Sequence, residues 1–191
     1  MLLVTPKTKP RISPREVGKI IERNRVVDPV VLVGIRGYYL RTMGDPTRND
    51  RGLWDDAMIL VSPEVYATFN ANTDPSIYRT GIASLMEGVH RYRRGNHGIG
   101  RGPGYPALRP ATTGERLPVR RDGREGIHDG VAINIHRGGS IASTSPRATS
   151  SEGCQTIPRE QWEAFINLVY SEMRRHGQQT VPYVLTAAPS A

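Results

Sequence analysis

Apolar residues fall along this chain in two ways, as stripes at helical spacing near both ends and as short runs of strand length between them. The first stripe is Val17, Ile20 and Ile21, introduced by Ser13-Pro14-Arg15-Glu16. Ser13 suits a helix N-cap, Pro14 suits the first helical position, where its missing N–H leaves nothing unpaired, and Glu16 can reach back to complete a capping box. Ile12 and Val17 are spaced to staple that start, so segment 1–27 is predicted to be helical up to Asn24. The second stripe follows Pro158 and comprises Trp162, Phe165, Ile166, Val169 and Met173, predicting a C-terminal helix over 158–177 that stops at Gly177. Arg174, Arg175 and His176 fall in its last turn, where positive charge complements the helix dipole.

Between the helices, the apolar runs 30–35 and 57–61 read as buried strands, and 181–185 as a final one. Segment 70–76 is rich in Asn, Asp and Pro and reads as turns, and 82–89 as a short helix. From 91 to 130, ten punctuating positions including Gly95, Gly98, Pro103, Pro106, Pro110, Pro118 and Asp122-Gly123 predict mostly loop with brief strands, or a lid or binding loop. Residues 131–136 alternate as one strand would, with Val131, Ile133 and Ile135 on one side and Ala132, Asn134 and His136 on the other.

Composition narrows the class. At 191 residues, with 37% hydrophobic content, 20 Gly and 15 Pro, the chain reads as one α+β domain over 1–191, a β-rich core flanked by the two helices. The apolar start gives way at Thr5-Pro6-Lys7, too soon for an export signal or a membrane span, so synthesis in the cytoplasm without a signal peptide is expected. The net charge of +8 is concentrated: residues 91–124 hold nine Arg against Glu115 and Asp122, a local balance of +7. That stretch is either a solvated basic loop or a contact for an anionic polymer, nucleic acid or a bacterial envelope.

Cys154 is the single cysteine, so no internal disulfide can form, and the histidines around it follow no compact zinc spacing. It lies in Ser151-Glu152-Gly153-Cys154, eighteen residues after His136. An imidazole beside a thiol can take its proton and later return it to a leaving group. Gly153 permits close backbone approach, and the Cys154 amide is placed to hold an oxyanion. The Gly- and Ser-rich connection 137–150 reads as flexible enough to bring the two residues together. His97 and His128 are secondary candidates for substrate or orienting roles, or plain loop residues.

His136, fourteen intervening residues and then Ser151-Glu152-Gly153-Cys154 resembles the signature of the L,D-transpeptidase catalytic domain over residues 131–157. The resemblance implies a β-rich, sandwich-like core with no cofactor and no metal. It makes Cys154 the nucleophile on a peptidoglycan stem-peptide carbonyl, with His136 its base, the backbone carbonyl of Arg137 orienting that base, and Gly153 part of the catalytic block. Ser151, Glu152, Gln155, Asn134 and His97 are the residues expected at the substrate. The sequence departs from the family at Glu152, which stands where a histidine is usual, and at Gln155 and Thr156. Glu152 is accordingly expected to pair with Arg137 or Arg147, to orient His136, or to touch substrate.

Three function classes follow. The first is a peptidoglycan-active cysteine enzyme, a phage-type hydrolase reaching the periplasmic wall after release or within a virion, or a cross-linking transpeptidase. The second is a nucleic-acid binder using Arg91-Tyr92-Arg93-Arg94. The third is a virion structural protein carrying a relict site.

Overall fold

The capping box forms as the sequence reads. The Ser13 hydroxyl accepts from the Glu16 amide at 3.3 Å while the Glu16 carboxylate takes the Ser13 N–H at 3.0 Å, and helix α1 runs Pro14–Arg23. The computed structural model describes residues 8–39, 50–98, 102–143, 145 and 147–188; the apolar N-terminal residues and Arg101 of the basic stretch lie outside them. The strands are β1 Val31–Arg36, β2 Asp56–Val61, β3 Tyr66–Ala71, β4 Ala83–Leu85, β5 Gly88–His97, β6 Tyr105–Pro110, β7 Arg116–Arg121, β8 Arg124–Val131, β9 Ile135–Arg137 and β10 Gln155–Ile157. Helix α2 Arg159–Arg175 and strand β11 Thr180–Ala187 follow. The described chain is therefore α+β and dominated by strands.

Eight strands make one sheet in the order β10-β9-β6-β5-β11-β1-β2-β3, and β4-β7-β8 make a second. The large sheet curls until its edges meet, because Asn72, just past β3, exchanges backbone bonds with Thr156 of β10 at 2.9 and 2.8 Å. Side chains alternate across a strand, and both faces of the large sheet are apolar where helices cover them. Leu32, Met58, Leu60, Phe69, Tyr92 and Tyr183 pack with Trp162, Phe165, Ile166, Val169 and Met173 of α2. Val31, Val33, Ile35, Ala57 and Ile59 form a second cluster with Val17 of α1. The small sheet turns Leu85, Leu117 and Val119 into the α2 core. No helix among the described residues is long and apolar enough to cross a membrane.

Three expectations change. The segment 82–89 is not a helix: β4 and the start of β5 occupy it, and Gly88 at φ 138° sits where a helix cannot continue. The segment 91–130 is mostly strand, because β5–β6 and β7–β8 are antiparallel pairs. Pro118 is tolerated within β7 because it lies just beyond the paired end of β4, where no ladder donor is needed. The alternation over 131–136 is broken at Ala132, whose φ of 54° ends β8 and starts a turn into β9. Val131 therefore faces solvent while Ile133, Asn134, Ile135 and His136 are all buried.

Candidate active site

β9 and β10 are short parallel neighbours, with Gln155 opposite Ile135 and Thr156 opposite His136. Paired residues share a face, so Cys154, two positions before Thr156, lies on the same side as His136, diagonally along the strands. By strand dimensions the diagonal between their Cα atoms is roughly 8 Å; in the free protein the thiol is engaged by the Asn134 amide and the Ala132 carbonyl and makes no hydrogen bond to His136. The Gln155 amide fixes this register by donating to the Asn134 carbonyl at 2.9 Å.

The Cys154 loop is shaped by small residues. Gly153 has φ 140°, and a Cβ there would stand 2.7 Å from the Ala83 carbonyl oxygen, so only glycine fits. The connection back from β9 is a close backbone crossing rather than a slack linker: a Cβ on Gly139 would meet the Ala148 carbonyl oxygen at 2.1 Å. Ser151 closes the turn, its hydroxyl accepting from the Gly153 amide at 3.0 Å and donating to the Cys154 carbonyl at 2.6 Å. Its own amide donates to Ser76 at 2.7 Å.

Ser151 is thus buried and bonded within the loop, and Gln155 is fully buried, accepting from the Tyr183 hydroxyl at 3.1 Å. Both side chains, expected at the substrate, are engaged within the protein. Glu152 pairs with Arg79 at 3.0 Å, with both side chains largely exposed. It neither pairs with Arg137 or Arg147 nor orients His136.

His136 is oriented by the carbonyl of Arg137, which lies 2.8 Å from Nδ1. A carbonyl can only accept, so Nδ1 carries the proton and Nε2 is bare. The Tyr105 hydroxyl from β6 sits 3.2 Å from the same Nδ1 and donates to the same carbonyl at 3.3 Å. The Arg137 guanidinium lies over the Tyr105 ring, 4.5 Å from its centroid.

His97, at the end of β5, stacks on His136 with centroids 3.9 Å apart and planes 14° from parallel. Its Nδ1 lies 3.1 Å from the side-chain amide of Asn134. His97 therefore belongs to the site, whereas His128 lies on β8 and bonds the Glu125 carbonyl at 2.9 Å, in the hairpin rather than the site. Tyr105 is a site group that no sequence signal marked, since it arrives from a strand remote from the Cys–His interval, and the Ala132 carbonyl enters through the turn before β9.

Cys154 is half-buried as a residue, yet protein atoms crowd its sulfur. Sγ accepts from the Asn134 amide at 3.3 Å and donates to the Ala132 carbonyl at 3.5 Å. Burial pushes the thiol up to about 11, against a smaller pull from the Asn134 N–H. Burial, and after it the stacked His97, pushes His136 down to about 4. The pair rests as neutral thiol and neutral imidazole. Among the described residues the Cys154 amide has no backbone partner outside the strand ladders.

Chemically, the arrangement supplies a nucleophile, a base with a fixed tautomer and an amide donor, the set required for acyl transfer. Compared with known proteins, the chain matches no family model and no curated protein.

Proposed function

We propose that this chain is a cysteine-dependent enzyme acting on peptidoglycan peptides, an L,D-transpeptidase-like hydrolase in which Cys154 attacks a stem-peptide carbonyl and His136 is its base. The reading is carried by the His136 tautomer: Nδ1–H is held by the Arg137 carbonyl at 2.8 Å, leaving Nε2 bare on the strand beside Cys154. The β-rich α+β architecture is compatible with the sandwich-like core of that family, and Glu152 is engaged by Arg79.

The steps follow from the groups present. As a scissile carbonyl seats at Sγ, Nε2 takes the thiol proton and the sulfur bonds to the carbonyl carbon. The oxyanion accepts from the Cys154 amide. The imidazolium then gives its proton to the departing amine nitrogen as the C–N bond breaks, leaving a thioester and neutral His136. Water, giving a proton to Nε2, attacks the thioester, and that proton returns to sulfur as the free acid leaves. An amine in place of water yields a cross-link by the same steps.

The test is to incubate purified sacculi with wild type, Cys154→Ala and His136→Ala and to read muropeptide masses. Wild type is expected to release peptides carrying the mass of an added water, and both variants, folded by thermal melting, are expected to be silent. Identical products from wild type and Cys154→Ala would end the cysteine mechanism, and joined peptides would reassign the acceptor as an amine.

A further inference from the structure

The β7–β8 hairpin turns at Asp122-Gly123, where Gly123 takes φ 67°, and it brings Arg120, Arg121 and Arg124 to one tip. Beside that tip is a cavity of about 570 Å³, whose lining includes these three arginines with Arg51, Ser84 and Ile127. Two of the four guanidiniums have structural work. Arg51 closes on both oxygens of Asp122 at 2.5 and 2.8 Å and also bonds Ser84 at 3.1 Å. Arg121 donates to the carbonyls of Gly81 and Asp129, each at 2.8 Å, which holds it in place without cancelling its charge.

Arg120 and Arg124 have no ion pair with any carboxylate among the described residues. Glu125 is the one lining carboxylate not already closed on Arg51. The cavity is therefore a concave surface with an excess of guanidinium and an exposed apolar wall at Ile127, which is 66% exposed. Guanidinium groups recognise carboxylates through paired N–H···O bonds, and clustered cations in a cleft draw anions to it.

Strand β8 leads from the cavity toward the turn at Ala132 that the thiol contacts. From Ile127 to Val131, next to Ala132, whose carbonyl accepts a hydrogen bond from the Cys154 thiol, four residues of extended chain span roughly 13 Å. We infer that this cavity is a subsite for a carboxylate-bearing polymer, holding an anionic group of the same chain whose peptide bond is presented to Cys154. The inference rests on the peptidoglycan reading for the identity of that chain, and on the cavity itself for its charge.

Nucleic acid fits less well. Of the other arginines of the basic stretch, Arg91 is closed on Asp28 at 2.8 Å and Arg116 on Asp129 at 2.9 Å, and Tyr92, the aromatic of Arg91-Tyr92-Arg93-Arg94, is fully buried. Tyr78, the exposed aromatic nearby, has the Arg51 guanidinium over its face at 4.2 Å. Neither Tyr92 nor Tyr78 is thus an open stacking platform of the kind that nucleic-acid strands use.

The experiment uses the Cys154→Ala protein, so that binding is read without turnover, and labelled poly-L-glutamate as the probe, followed by fluorescence anisotropy over a salt series. Arg120→Ala/Arg124→Ala is expected to weaken binding about tenfold and to flatten its salt dependence. Lys19→Ala/Arg23→Ala, which removes equal charge from exposed α1, is expected to leave it unchanged. Equal loss in both doubles overturns the site in favour of net charge, and tighter binding of DNA through the same two arginines overturns the carboxylate assignment.

Sacculus digestion separates the two readings. If the wild type releases nothing but poly-L-glutamate still binds through Arg120 and Arg124, the catalytic reading falls and the anion site stands. If digestion proceeds with KM unchanged in the arginine double and the probe does not bind, the subsite falls alone. The expected result is a raised KM with kcat unchanged.

Discussion

At the scale of single residues, Cys154 and His136 are set against forming an ion pair in the free protein. A thiol at about 11 and an imidazole at about 4 leave the charged pair well above the neutral one before their attraction is counted. The nucleophile must then be generated as substrate seats, by transfer to Nε2, rather than stored. Alkylation of Cys154 by iodoacetamide is accordingly expected to be slower at neutral pH than that of free cysteine and to climb tenfold per pH unit up to about pH 10. A plateau near neutrality would mean a preformed thiolate. The sequence made the Cys–His interval legible because one short connection spans it. It singled out His97 but not the stacking that brings it from β5 onto His136, it hid Tyr105, which reaches His136 from β6 across the sheet, and it did not show the burial of Ser151 and Gln155, which depends on Ser76 and Tyr183 far along the chain.

At the scale of elements, what is encoded locally was readable and what depends on partners was not. The α1 capping box and the α2 stripe are each satisfied within about one element, so cap chemistry and periodicity identified them. The β5–β8 hairpins were obscured because Gly and Pro read as loop until pairing shows where each is harmless, as with Pro118 beyond the end of β4. The pattern at 82–89 mimics a helix through Ile82, Leu85 and Val89, but Val89 is 43% exposed and Gly88 breaks the run. Replacing Ser13 by alanine should remove the α1 cap and cost about 1 kcal/mol, read from chemical denaturation, with turnover unaffected. Gly153→Ala acts elsewhere: its Cβ has nowhere to go but into the Ala83 carbonyl at 2.7 Å, so the Cys154 loop should shift and turnover should fall at least about a hundredfold, as a misplacement of about 1 Å does.

At the scale of the molecule, the site leaves a mark on stability. The folded state holds His136 neutral, at about 4 rather than 6.5, so its stability is fully present above about pH 6.5 and is lost as pH falls toward 4, when the unfolded chain protonates first. Asp56 opposes this: burial, with the Asp74 carboxylate second, raises it to about 7, so its contribution is fully present below about pH 4 and is lost as pH rises through 7. The two slopes run against each other between these limits. His136→Asn is expected to remove about 2 kcal/mol from the difference between stability at about pH 8 and at about pH 5, measured by urea unfolding at both. An unchanged difference would mean that His136 is already charged in the folded protein.

The large sheet meets itself through one residue pair, Asn72 and Thr156. A ring joined by so few bonds has a natural place to unzip, and two residues from that place is the nucleophile. Amides at this junction should exchange with solvent sooner than those of β1 or β11, the neighbours paired along five residues. Local breathing of the fold and admission of a chain to the thiol would then be one motion, with the rest of the ring held still.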